Sequence, residues 1–166
     1  RISESQLDSE EIEFFKINRG GDITYHGPGQ ITGYLILDLD QYYHDLHRYV
    51  RDIEEMIIRT IKTYGLVGDR IEGYTGVWLP PTDVRSMSRK VCAIGIHMSR
   101  WVSMHGFALN VNTDLSYFEN IIPCGIAESN MTVTSIQHEL GRRIDVPQVE
   151  SILLNNFQEV LGAQLV

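Results

Sequence analysis

Cysteine is scarce in this sequence: Cys92 and Cys124 are the only two. Two thiols cannot make a disulfide framework, and they point to a reducing, cytoplasmic setting. No CxxC or HxxxH spacing links them to His26, His97 or His105, which argues against a metal site. Long apolar runs are also missing. None approaches the ~20 residues needed to cross a bilayer, and the start RISESQLDSEE lacks the apolar stretch of a secretory leader. Basic residues are outnumbered, 14 Lys and Arg against 22 Asp and Glu, for a net charge of −8. That balance argues against a non-specific nucleic-acid binder. Repeats, low-complexity tracts and linker-like shifts are absent too, so the 166 residues read as one domain, 1–166. A hydrophobic content of 43% excludes global disorder.

Strand-like and helix-like patterns are both present. EIEFFKIN (11–18) reads as a strand, and ITGYLILDL (31–39) as a central one covered on both faces. Asp40 can cap a helix over 41–64, where Leu46, Val50, Ile53, Ile57, Ile61 and Tyr64 recur at helical spacing and Gly65 ends it. YTGVWLP is a short strand stopped by Pro80 and Pro81. KVCAIGIHMS (90–99) and WVSMHGFALNVNT (101–113) suggest an antiparallel hairpin around Arg100. Residues 114–126 predict a short helix followed by a Pro-Cys-Gly turn, and MTVTS a last strand. Thr134 and Gln137 have capping-box spacing for a helix to Leu140, and Val149, Ile152, Leu153, Phe157, Val160 and Leu161 mark another helix. Strands grouped in hairpins rather than strict βαβ alternation indicate an α+β fold: a mostly antiparallel mixed sheet flanked by helices.

Four places offer chemistry. Residues 19–30, RGGDITYHGPGQ, combine glycines that admit close approach to the backbone with Arg19 and His26. The plainer reading is a glycine-rich turn. The segment lacks the GxGxxG and GxxxxGK[ST] spacings of nucleotide loops. Cys124, between Pro123 and Gly125, sits on a turn where a nucleophilic sulfur is accessible, whereas Cys92 in Val-Cys-Ala-Ile reads as a small buried hydrophobe. Lys90 opens its strand either as a surface lysine or as a desolvated ammonium that lowers a thiol pKa. His105 precedes a glycine in a strand and either orients a site or is structural. Asn110 and Asn112 alternate on one face.

Taken in order, RGGDITYHGPGQ (19–30), KVCAIG (90–95), HGFALNVNTDLSYF (105–118) and PCG (123–125) resemble the lipoyl(octanoyl) transferase family, within the biotin/lipoate protein ligase superfamily. The resemblance covers the chain from about residue 10. It implies a ligase-like catalytic domain that moves an octanoyl group to a lysine of a lipoyl domain. Cys124 would carry the acyl group as a thioester, and Lys90 would lower its pKa and handle protons. Substrate contacts would fall on Arg19, Gly20, Gly21, Asp22, Ile23, Thr24, Tyr25 and His26, on Ala93, Ile94 and Gly95, and on Gly106, Phe107 and Ala108. The implied donor is acyl carrier protein, its acyl group borne on phosphopantetheine, with no ATP and no metal. The implied acceptors are lipoyl domains of 2-oxoacid dehydrogenase complexes and the glycine cleavage H protein. Neither nucleic acid nor membrane is expected, and the expected state is a cytoplasmic monomer. The family also carries a strand–helix–strand ahead of the Arg-Gly-Gly block, so a domain lacking that segment is expected. Acidic partners would need a local basic face, for which Arg85, Arg89, Lys90, Arg100, Arg142 and Arg143 are candidates. Three other readings compete: an ATP-dependent ligase, which would not need Cys124; a cysteine thioesterase or amidase using His26 or His105; and a non-catalytic acyl-binding module.

Overall fold

The computed structural model describes residues 13–15, 17, 23–120 and 130–163. Among these residues six strands form one sheet in the order β1-β5-β4-β3-β2, with β6 paired to β4. They are β1 Gln30–Tyr34, β2 Asp69–Ile71, β3 Tyr74–Leu79, β4 Ser88–Ser99, β5 Val102–Asn110 and β6 Met131–Val133. Every pairing is antiparallel except β4 with β6. Helix α1 spans Leu46–Lys62, α2 Ile136–Leu140 and α3 Val146–Leu161.

The β4–β5 hairpin is the spine. Its register runs from Cys92 opposite Leu109 to Ser99 opposite Val102, and Arg100 and Trp101 turn the chain with φ of 50° and 60°. Period-3.6 apolar spacing puts Ile53, Met56, Ile57 and Ile61 of α1 on one buried face. That face packs with Val77, Val91 and Leu109 of the sheet and with Val149, Leu153 and Phe157 of α3. Tyr49 is anchored by its hydroxyl, which lies 3.1 Å from both the Leu35 carbonyl oxygen and Ser103 Oγ and has one hydrogen to share between them. Gly106 has no room for a side chain, since a Cβ there would lie 2.0 Å from the Gly33 carbonyl oxygen. Strands β1 and β5 therefore meet at a point only glycine permits.

Several local expectations are corrected. Strand β1 ends at Tyr34, and among the described residues it pairs only with β5. Its exposure alternates, with Thr32 and Tyr34 outward, so it is not covered on both faces. Asp40 does not cap α1. It lies in a 3-10 turn, Leu39–Gln41, capped by Asp38, and Asp45 caps α1 by accepting from the Arg48 amide at 2.9 Å. Ser135, not Thr134, caps α2 through the His138 amide. The segment after Asp114 winds as a 3-10 turn over Leu115–Asn120. Residues 13–15 and 17 are not in a strand, and the remainder of the 11–18 expectation lies outside the described residues. The three-residue β2 carries no periodic signal and was not foreseen. No described helix is long and apolar enough to cross a membrane.

Candidate active site

Lys90 is the organising side chain. It lies near the start of β4, opposite Trp78 of β3 and beside Val133 of β6. Neighbours on both sides leave it only 5% exposed. It is a desolvated lysine, not a surface one. Its Nζ lies 4.6 Å from the centroid of the Trp78 ring. That contact holds a positive charge against the negative face of an indole. Trp78 is itself fixed, fully buried, with its indole N–H donating to the Tyr74 carbonyl at 3.1 Å.

The floor beneath Lys90 is built by Gly76 and Glu54. Gly76 has φ of +126°, and a Cβ there would lie 2.5 Å from the Cys92 carbonyl oxygen and 3.5 Å from Lys90 Cε. Next to it the β3–β4 register shifts between Val77 and Trp78. The Gly76 amide donates to Glu54 Oε1 at 3.1 Å. Glu54 is fully buried, and its other oxygen accepts from Arg51 at 2.6 Å and Arg70 at 3.2 Å. A buried carboxylate satisfied in this way fixes the β3 backbone that faces Lys90.

Cys92 is completely buried, and burial pushes its thiol pKa well up. An Ala108 backbone hydrogen bond and the Lys90 charge oppose that shift without reversing it. The expectation of an inert, packed cysteine matches this placement.

A cavity of about 330 Å³ opens beside Lys90. Nine of the residues expected to bind substrate or catalyse line it: Thr24, His26, Lys90, Ala93, Ile94, Gly95, Gly106, Phe107 and Ala108. The two glycines stand opposite each other in the β4–β5 register, which clears space over the sheet. The wall is mainly apolar, with His26, Gln30 and Asn110 among its polar residues. Ile23 and Tyr25 are not on this wall. The Tyr25 ring is committed elsewhere, stacked on Tyr117 at 4.8 Å and edge-on to Phe118 at 5.5 Å. It thereby steadies Phe118, which does line the cavity. Arg19, Gly20, Gly21, Asp22 and Cys124 lie outside the described residues.

Sequence reasoning missed Gln30, Tyr34, Leu46, Val50 and Phe118 as wall residues. Leu46 and Val50 were visible as part of the α1 stripe. Their signal was the width of that stripe, which exceeds what the core covers: Leu46 remains 41% exposed. His105 also reaches the wall, with its backbone at φ of 64° and its ring edge-on to Tyr34 at 6.1 Å.

The six basic candidates do not form one open face. Arg85 and Arg89 both donate to Glu139 Oε1 at 2.9 Å, and Thr134 Oγ1 donates to the same oxygen at 2.6 Å. Lys90 is buried, Arg100 caps the hairpin, and Arg142 and Arg143 line a separate, more open hollow with His138 and Thr113. Among the described residues, no group of three or more His, Cys, Asp or Glu side chains is placed to hold a metal.

Known proteins resemble this chain in sequence and in fold. The family model for the lipoyl protein ligase A/B catalytic domain matches residues 1–158. The chain is 55% identical over 166 residues to an octanoyltransferase of Christiangramia forsetii, covering 99% of this chain and 69% of that protein. It is 51% identical over 166 residues to an octanoyltransferase of Flavobacterium johnsoniae, covering 99% and 70%. Among solved structures, lipoate-protein ligase A bound with ATP superposes with a TM-score of 0.73 at 16% identity, covering 99% of this chain and 65% of that one. A biotin protein ligase from Aquifex aeolicus gives 0.60 at 16% identity, covering 81% and 53%. The chain thus spans less than two thirds of either solved structure. These structural likenesses bear out the expected ligase-like sheet-and-helix fold. The chain belongs to the lipoyl protein ligase A/B catalytic domain family.

Proposed function

We propose that this chain is an octanoyltransferase that takes an octanoyl group from a carrier-bound thioester and delivers it to a lysine of a lipoyl domain. The observation that carries this reading is the apolar cavity of about 330 Å³ with Lys90 on its wall. Its size lies at the small end for ligand sites, suited to a single acyl chain. Burying the seven carbons beyond the carbonyl contributes about 6 kcal/mol, at about 0.8 kcal/mol per carbon. The octanoyltransferase relatives support the same reaction.

Cys124 is the covalent carrier in this reading. Its thiolate attacks the donor thioester carbonyl, the C–S bond to the donor breaks, and the new thioester stays on the chain. One thioester replaces another, so the exchange is nearly balanced and needs no ATP. Attack by the acceptor amine then forms an amide and releases the Cys124 sulfur, which is downhill. Lys90 contributes a fixed positive charge that favours the thiolate. Arg19 to Asp22 and the wall residues hold the acyl group. The donor is acyl carrier protein with its phosphopantetheine arm, and the acceptors are lipoyl domains.

Intact-protein mass after mixing with octanoyl-loaded acyl carrier protein tests the reading, with Cys124→Ala alongside. The expected result is an octanoyl adduct on the native protein only, discharged by a lipoyl domain without ATP. Discharge to free octanoate in the absence of acceptor would instead make the protein a thioesterase. Full transfer by Cys124→Ala would remove Cys124 from the mechanism.

A further inference from the structure

This acidic chain has one pair of adjacent arginines, Arg142 and Arg143, and both are exposed on the wall of the second hollow. Arg48, Arg51, Arg59, Arg70, Arg85 and Arg89 each lie within 3.9 Å of a carboxylate. Among the described residues Arg142 and Arg143 have no such partner. Asp114 also lines the hollow, but its carboxylate is taken up by Ser116, whose amide donates at 3.0 Å and hydroxyl at 2.7 Å. Two guanidinium groups against one carboxylate leave the wall positive. Thr113 lies on the same wall, 5% exposed, and its Oγ1 has no hydrogen-bond partner among the described residues. An unpaired buried hydroxyl is costly, and in a native fold it points to a polar partner held beside it. Two planar guanidinium forks are the donors that suit a phosphate.

The hollow adjoins the acyl cavity. Three separate segments pass from one to the other in two residues: Asn110 to Asn112, Val133 to Ser135, and Phe118 to Ser116. Two residues of chain reach at most about 7 Å. Val133 pairs with Lys90 across β6 and β4, and paired strands lie about 4.8 Å apart. Ser135, on the wall of the hollow, is therefore within about 12 Å of the Lys90 backbone. In a phosphopantetheine arm twelve bonds separate the phosphate-ester oxygen from the sulfur. That equals four residues of backbone, so the extended arm spans about 14 Å. An arm with its thioester beside Lys90 can set its phosphate in this hollow.

We propose that the hollow is a phosphate site, in which Arg142 and Arg143 receive the phosphate ester of the donor's phosphopantetheine arm. The proposal deepens the octanoyl-transfer reading above and rests on it. The contact is binding alone, and no bond forms or breaks there. It fixes the outer end of the arm while the acyl end enters the cavity.

Two small donors test this on the intact protein, octanoyl-phosphopantetheine and octanoyl-pantetheine, with a lipoyl domain as acceptor. They differ only in the phosphate. The native protein should use the phosphorylated donor with a KM about tenfold lower, the worth of two exposed charge contacts. Added salt should shrink that ratio. Inorganic phosphate should compete with the phosphorylated donor and spare the other. Replacing both arginines, Arg142→Gln with Arg143→Gln, should abolish the preference while kcat and the KM for octanoyl-pantetheine stay unchanged. Equal KM values in the native protein, or a preference that survives the double replacement, would overturn the proposal. So would equal inhibition of both donors by inorganic phosphate. If the native protein transfers from neither donor, the octanoyl-transfer reading fails. The site is then decided by the arginine Nε resonances, with Arg142 and Arg143 assigned from the single variants. They should shift on titration with phosphopantetheine and not with pantetheine, and the absence of that difference would overturn the site.

Discussion

Replacing Trp78 with leucine and, separately, with phenylalanine isolates what the indole does for Lys90. The ring is fully buried and carries two interactions besides packing: the ammonium 4.6 Å from its centroid and the indole N–H bond to Tyr74 at 3.1 Å. A desolvated cation–π contact is worth about 2 kcal/mol. Trp78→Leu removes it outright. If all of it bears on the thiolate, loading of Cys124 slows by about 30-fold. Trp78→Phe keeps a ring face, and the expected slowing is at most about fivefold, for a loss near 1 kcal/mol. Both variants lose the N–H bond, at about 1 kcal/mol of stability, and Trp78→Leu adds a cavity cost of about 2 kcal/mol or more. The assay is single-turnover loading from octanoyl-loaded carrier, paired with urea midpoints. Equal loading rates for the leucine and phenylalanine variants would refute the reasoning, because the ring face would then not matter. So would loading that tracks the urea midpoint and not the presence of a ring.

Further outcomes follow from other features. Glu54→Ala strands the buried Gly76 amide and removes a carboxylate held by two arginines. The expected loss is about 3 kcal/mol in urea unfolding, with Glu54→Gln costing less because its oxygen still accepts from Gly76. Cys92 should resist iodoacetamide in the folded protein and react only on unfolding. Its thiol pKa is raised by burial, so the unfolded chain deprotonates first as pH rises. Its contribution is intact below the unfolded value of about 8.5 and is lost above it, at up to about 1.4 kcal/mol per pH unit. Cys92→Ala should flatten that alkaline decline, as read by urea midpoints across pH. Shortening the donor acyl chain by one methylene should reduce loading efficiency about fourfold, from about 0.8 kcal/mol of lost burial. A flat chain-length series would mean the cavity does not hold the acyl chain.

Much of this was legible before the structure, and the exceptions have physical causes. The stripe Ile53, Ile57 and Ile61 announced α1, and the hairpin around Arg100 was visible in two β-rich runs. The α1 start was misplaced because three aspartates, Asp38, Asp40 and Asp45, all have capping chemistry, and only tertiary contacts choose among them. Strand β1 looked central because YLIL is apolar. Only the pairing shows that its alternate residues Thr32 and Tyr34 face outward. In the site, the burial of Lys90 was hidden because a lysine at a strand start is usually solvated. The residues that enclose it, Trp78, Gly76 and Val133, are brought there by strand register and not by sequence proximity. The place of Gln30 on the cavity wall was unreadable for the same reason, since its hydrogen-bond partner Asn110 is 80 positions away.

The lock formed by Arg89 on Glu139 has a consequence for the order in which the site is assembled. The two residues are 50 positions apart, while the β4–β5 hairpin is closed by a turn of two residues, Arg100 and Trp101. Closing a short loop loses little chain entropy, and closing a long one loses more, so local pairings tend to form first. The hairpin carrying Lys90 and nearly half of the cavity wall is therefore set to form early, still open along the edge where β6 will lie. When residues 131–139 dock, Lys90 gains its Val133 neighbour and the Asn110 amide gains the Thr134 carbonyl as a partner. In folding terms the acyl site is a late product, completed by the docking that seals the sheet.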